Sequence, residues 1–110
     1  MNIYDIIKKE FGTNRVTVTP TKKIPFTTSE TLVLRANAQR AWYMIINPTA
    51  NDAFVNFATG VSSTNGIRIQ NSGGYIMLSV MDDMNLVAEE LYGIINTASA
   101  DLVYAEIEVY

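Results

Sequence analysis

The sequence contains no cysteine and no histidine. Without cysteine there is no disulfide, no thiolate zinc site and no cysteine nucleophile. That absence is silent on compartment, because a cysteine-free chain tolerates oxidising and reducing surroundings alike. The missing histidine excludes more. It removes the commonest general base, the usual partner of a serine nucleophile and the commonest transition-metal ligand. An enzyme made from this chain would have to work with carboxylates, lysine or tyrosine, as some glycosidases do. The expectation is a protein that is not an enzyme and that carries no cofactor and no metal. Long apolar runs are missing as well, since none reaches the roughly 18 residues that a membrane-crossing helix needs. The opening MNIYDIIKKEFG has no basic leader, no unbroken apolar run and no small-residue cleavage site, so it does not read as a signal peptide. A soluble chain with no membrane partner is expected.

What is present suffices for a core. Of 110 residues, 48% are hydrophobic and 17% charged, which suits one folded domain rather than a disordered chain. A chain of this size buries roughly two-thirds of its surface on folding. The net charge of −3 hides an asymmetry. Residues 1–40 hold Lys8, Lys9, Arg15, Lys22, Lys23, Arg35 and Arg40 against Asp5, Glu10 and Glu30; residues 41–110 hold Arg68 alone against eight acids. Such a split can be chance among solvated loops, or a basic segment that meets an acidic surface on a neighbouring copy or partner. A nucleic-acid partner is not expected, because the domain as a whole is acidic and has no basic stripe interleaved with aromatics.

Residues 1–12 read as a short amphipathic helix. Ile3, Ile6, Ile7 and Phe11 fall on one stripe of a 3.6-residue period, Asn2 suits the N-cap and Gly12 the left-handed position past the end. So short a helix is marginal alone, so its stripe must dock on its own domain or on a neighbour. Residues 13–30 hold six threonines and two of the three prolines, which suits an extended arm with a brief strand over 15–19. From residue 31 to 110 the pattern is β. Segment 41–47, AWYMIIN, is apolar on both faces and reads as a central, fully covered strand. Strands are also expected over 31–36, with Leu32, Leu34 and Ala36 on one side, over 53–58 after a turn at 48–52, over 66–70 with Ile67 and Ile69 inward, over 75–80 with Ile76, Leu78 and Val80 inward, and over 91–96. A last strand over 102–110 is expected to face Val103, Ala105, Ile107 and Val109 inward, with Tyr104, Glu106, Glu108 and Tyr110 outward. Segment 81–90 reads as a loop or one turn of helix. The sum is an all-β fold: a β-sandwich or jelly roll of about seven or eight antiparallel strands, preceded by a helix and an arm.

The order of motifs from residue 41 onward resembles a known kind of protein. YMIINP at 43–48 is followed by V-x-F at Val55 and Phe57, G-I-x-I at 66–69 and a Gly-Gly turn into an apolar strand at 73–78. An acidic loop with Asp82 and Asp83, L-Y-G-I-I at 91–95 and A-E-I at 105–107 complete it. This resembles the small auxiliary virion proteins of tailed phages and related viruses, of the head-decoration or fibre-base kind. The resemblance covers about two-thirds of the chain and leaves out its first 40 residues. It implies a β-sandwich without a catalytic site, a habit of oligomerising and a location in the virion.

Several groups could carry chemistry. Asp82, Asp83, Glu89 and Glu90 lack the D-x-[DN]-x-[DN]-G spacing of a calcium loop and read as a solvated loop. NSGG at 71–74 and GVSS at 60–63 lack the phosphate-loop patterns and read as turns. Trp42 and Tyr43 point to opposite faces of one strand, so at least one fills the core. The function expected is that of a viral structural protein, capsid-associated or decorating, that assembles with copies of itself and with other virion proteins. A carbohydrate-binding module with exposed aromatics is the alternative. The interface is expected at Ile3, Ile6, Ile7, Phe11, Tyr104 and Tyr110.

Overall fold

The computed structural model describes residues 16–109. The expected helix over residues 1–12, and with it Ile3, Ile6, Ile7 and Phe11, lies outside the described residues, as does Tyr110. Eight strands follow in order: β1 (Val16–Phe26), β2 (Thr31–Leu34), β3 (Arg40–Asn47), β4 (Ala53–Asn56), β5 (Ile67–Ile69), β6 (Gly74–Ser79), β7 (Leu91–Ile95) and β8 (Ala100–Val109). Between β6 and β7 lie a single helical turn, α1 (Val80–Asp83), and a 3-10 helix, Met84–Ala88. Aromatic and β-branched residues fill β3, whose run suits a pleated sheet.

The described strands form two antiparallel sheets, ordered β1-β8-β3-β6 and β2-β7-β4-β5. The pairing has a simple logic. First pairs with last, second with seventh, third with sixth and fourth with fifth, as in one long hairpin ribbon. Bonding of β8 to β3 and of β7 to β4 then rolls that ribbon into two sheets. The fold is thus mostly β, as its alternating segments predict. The turn into β6 uses left-handed backbone at Ser72 (φ 57) and Gly73 (φ 109), a conformation glycine adopts at no steric cost.

One core lies between the sheets. Ile24, Phe26, Tyr43, Ile45, Leu78, Leu102 and Tyr104 enter it from the first, and Leu34, Ala53, Val55, Ile69, Leu91 and Ile95 from the second. Each large aliphatic or aromatic side chain among them contributes about 1.5–3 kcal/mol by leaving water. Asn47, fully buried at the end of β3, ties the two sheets together. Its Nδ2 donates to the carbonyls of Ile69 (3.0 Å) and Asn51 (2.7 Å), while Oδ1 accepts from the Thr49 amide (3.0 Å) and hydroxyl (2.7 Å). Four bonds satisfy the whole amide, so its burial costs little.

Four expectations need correction. The brief strand expected over 15–19 is present from Val16 but runs on to Phe26, paired with β8 and with Ile24 and Phe26 in the core, so the first sheet begins well before residue 31. A bulge between Leu32 and Leu34 breaks the alternation of β2 and leaves Leu32 exposed at 46%. Ile67, at the start of the three-residue edge strand β5, is also exposed, and only Ile69 is buried. The largest change is in β8. Leu102, Tyr104 and Glu106 are its buried residues, whereas Val103, Ala105 and Ile107 lie on the other side.

Candidate functional site

The reversed phase of β8 gives the first sheet an apolar outer surface. Residues directly opposite one another in a sheet share a face. One row crosses Val18, Ile107, Trp42 and Ser79; the next crosses Ala105, Met44 and Met77; the third crosses Lys23, Val103, Ile46 and Tyr75. Val18 and Tyr75 are each 63% exposed and Met77 is 54% exposed. The central residues Trp42, Met44, Ile46, Val103 and Ile107 are half-buried among their neighbours. The open side of an antiparallel sheet ordinarily carries polar residues. Here nine of the eleven positions named are apolar or aromatic, across all four strands. Strand β3 was expected to be covered on both sides, but among the described residues its outer side is only half-covered. Met81, Met84 and Leu86, in the short helical stretch after β6, add further exposed apolar side chains.

The inner end of the same sheet holds a second feature, built around Arg40. Arg40 is buried, 4% exposed, and its guanidinium donates to three backbone carbonyls: Val87 (2.8 Å), Arg35 (3.2 Å) and Glu89 (2.9 Å). Those bonds clamp β3 to the segment after β2 and to the stretch before β7. Arg40 also lies 3.8 Å from Glu106 Oε2 and 5.1 Å above the Tyr43 ring. The Tyr104 hydroxyl donates to Glu106, and Lys22 Nζ sits 5.2 Å from the Tyr104 ring centre. Burial, then the bond to Glu106, raises the Tyr104 pKa. Burial pushes the Tyr43 hydroxyl up to about 12, and that hydroxyl has no hydrogen-bond partner among the described residues. Above this group opens a cleft of about 430 Å³ lined by Lys22, Lys23, Arg35, Arg40, Asn37 and Glu106, with Ile24, Val33 and Leu34 as apolar wall.

Of the expected interface residues, Tyr104 alone falls within the described part; it is 2% exposed and packs in the core. Glu106 goes inward with it because Arg40 is there to receive it. Of the Trp42-Tyr43 pair, Tyr43 fills the core and Trp42 lies on the outer face. Three of the four acids of 82–90 have local duties. Asp83 accepts from the Ser79 amide (2.9 Å), Asp82 shares a bond with the Ser79 hydroxyl (3.2 Å) and Glu90 accepts from Tyr92 (2.9 Å). Both suspected phosphate cradles are turns whose amides are already bonded. Glu30 Oε1 takes the amides of Gly60 (2.6 Å) and Val61 (3.0 Å), and carbonyls take those of Ser72, Gly73 and Gly74. Among the described residues no group of three or more acids, histidines or cysteines is placed to hold a metal, and no helix is long and apolar enough to cross a membrane. No family model, no curated protein and no solved structure matches the chain.

Proposed function

We propose that this chain is a viral structural protein, capsid-associated or decorating, whose β-sandwich of jelly-roll type works by self-association and by binding a particle. The observation that carries the reading is the apolar outer face of the β1-β8-β3-β6 sheet. Four strands at about 4.8 Å spacing and three rows of side chains give roughly 15 by 15 Å of surface. A patch of that order is about as large as a typical monomer leaves open. It is small for one stable interface, which buries about 800 Å² per partner. Weak contacts of this size suit a lattice, where many of them act together. The occupant that fits is a second copy: an apolar sheet packs face to face on its like. The strand order supports the fold half of the reading, since among the described strands a ribbon with first-to-last pairing rolled into two sheets follows the jelly-roll order. That architecture also occurs in lectins and cupins, so the fold by itself does not choose a function.

The test is sedimentation of the full chain beside a Met44→Lys/Met77→Lys variant. The expected result is oligomer for the first and monomer for the second, with equal melting temperatures. Co-sedimentation with particles from the source lysate should be lost in the same variant. A monomeric parent protein that also stays in the supernatant would sink the proposal. A carbohydrate-binding module is the second reading, because Trp42 and Tyr75 stand on this same face. In that case Trp42→Ala abolishes glycan binding while the parent protein remains a monomer.

A further inference from the structure

The cleft above Arg40 concentrates the positive charge of an acidic domain. Residues 16–109 contain five cationic side chains, and four of them, Lys22, Lys23, Arg35 and Arg40, line this one cleft. The fifth, Arg68, is already paired with Asp52 at 2.9 Å. Of the nine acids in the same residues, Glu106 alone lines the cleft, and it is engaged by Arg40 and by the Tyr104 hydroxyl. Neither Lys22 nor Arg35 has a carboxylate partner among the described residues, and both are exposed. We infer that this cleft binds an oxyanion, a carboxylate, sulfate or phosphate group, held between the Lys22 ammonium and the Arg35 guanidinium over a floor made by Arg40.

The geometry gives each group a part. Lys22 pairs with Tyr104 in the sheet register, so it shares the inward side of β1 with Ile24 and is steered by the Tyr104 ring. Arg40 is immobilised by its three carbonyl bonds and forms the floor of the cleft. Its charge and that of Glu106 largely cancel, which leaves Lys22 and Arg35 as the uncompensated cations over the opening. Like charges gathered round one cavity repel, and an anion between them relieves that repulsion. A guanidinium fork matches the planar or tetrahedral oxygens of an oxyanion. Ile24, Val33 and Leu34 offer apolar surface to whatever body carries the anion, and about 430 Å³ is room for a group the size of a small sugar acid. Lys23 differs: its register partner is Val103, which places its side chain on the outer face, so it supplies only the rim. The site does not depend on the assembly reading, since it lies on the inward side of the sheet.

Amide-resolved NMR titration of the full chain tests it, with sulfate, phosphate and glucuronate as probes, glucose as the neutral control and ionic strength held constant with chloride. Saturable shifts are expected at Lys22, Arg35, Asn37 and Tyr104 with each anion and none with glucose. Lys22→Ala and Arg35→Ala should each weaken binding at least about five-fold, whereas Lys23→Ala should change it less than about two-fold. A protein dilution series without added anion separates the sources. Shifts at the same amides on dilution mean that a second copy supplies the carboxylate; their absence, with anion-induced shifts present, means a free ligand. Shifts that do not saturate, that spread evenly over every lysine, or that survive both Lys22→Ala and Arg35→Ala overturn the inference.

Discussion

The Phe26 ring lies against Gly93: a Cβ at Gly93 would come within 2.5 Å of Phe26 Cε2. Phe26 closes β1 in one sheet and Gly93 is the middle of β7 in the other, so this contact sets how closely the sheets approach. Both residues are buried. Gly93→Ala should therefore destabilise the protein by about 1–3 kcal/mol through overpacking. Phe26→Leu gives the methyl room, so the double variant should lose less than the two single losses together. Urea unfolding of the four proteins measures the coupling, and strict additivity would mean that the ring does not rest on Gly93.

Arg40 should be the most sensitive polar position. Arg40→Met leaves three carbonyls without their donor and Glu106 without a counter-charge in a buried place. A loss of about 3–5 kcal/mol is expected. Glu106→Gln keeps an acceptor for Tyr104 and should cost less than half as much. Thermal melts rank the two variants, and equal losses would contradict the clamp.

The buried tyrosines predict alkaline lability. Burial holds Tyr43 protonated up to about 12, and Tyr104 is raised as well. Unfolded, both ionise near the ordinary value of about 10. The native state then retains protons that the unfolded state releases, so their contribution is complete below about pH 10 and is lost as pH rises toward the folded value. Over that window stability should fall by up to about 1.4 kcal/mol per pH unit for each tyrosine. Tyr43→Phe should remove its share of the slope. It should be neutral or stabilising near pH ~7, because it also deletes a buried hydroxyl without a partner among the described residues. Urea midpoints across the range check both effects.

The phase of β8 can be read from paired substitutions. Leu102→Thr puts a hydroxyl into the core and should cost about 2–5 kcal/mol. Val103→Thr, one residue on, stands on the outer face and should cost less than about 1 kcal/mol in the monomer. The inward pattern expected from the sequence requires the opposite order, so one pair of melts decides between them.

How much was legible follows from what each residue pattern encodes. Alternation in GYIMLS put Ile76 and Leu78 inward, as observed, because the outer residues of this strand include the exposed Tyr75 and Met77 at the edge and a turn signal fixes its start. The same reasoning failed in ADLVYAEIEV. Val103, Ala105 and Ile107 make the more apolar face, and period-2 patterning assigns the more apolar face to the core. In the structure that face looks outward, while Tyr104 and Glu106 turn inward to meet Arg40, a residue 66 positions from Glu106 in the chain. No local pattern shows that a buried partner is waiting for a carboxylate. Likewise, threonine and proline content marked residues 13–30 as an arm with a brief strand over 15–19, but only pairing with β8 carries that strand on through the prolines to Phe26. Gly93 gave no turn signal, since its role is clearance for Phe26.

The sequence by itself determined the β class, most strand positions, the turns at 48–52 and 71–74, and the absence of cysteine and histidine chemistry, because these follow from composition and from neighbours a few residues apart. The tertiary structure decided which side of β8 is buried, that residues 16–26 pair with β8 as a strand, and that Lys22, Arg35 and Arg40 share one cleft. Each of these depends on residues far apart in the chain being brought together, with a buried charge, a ring or a paired strand as the partner that fixes them.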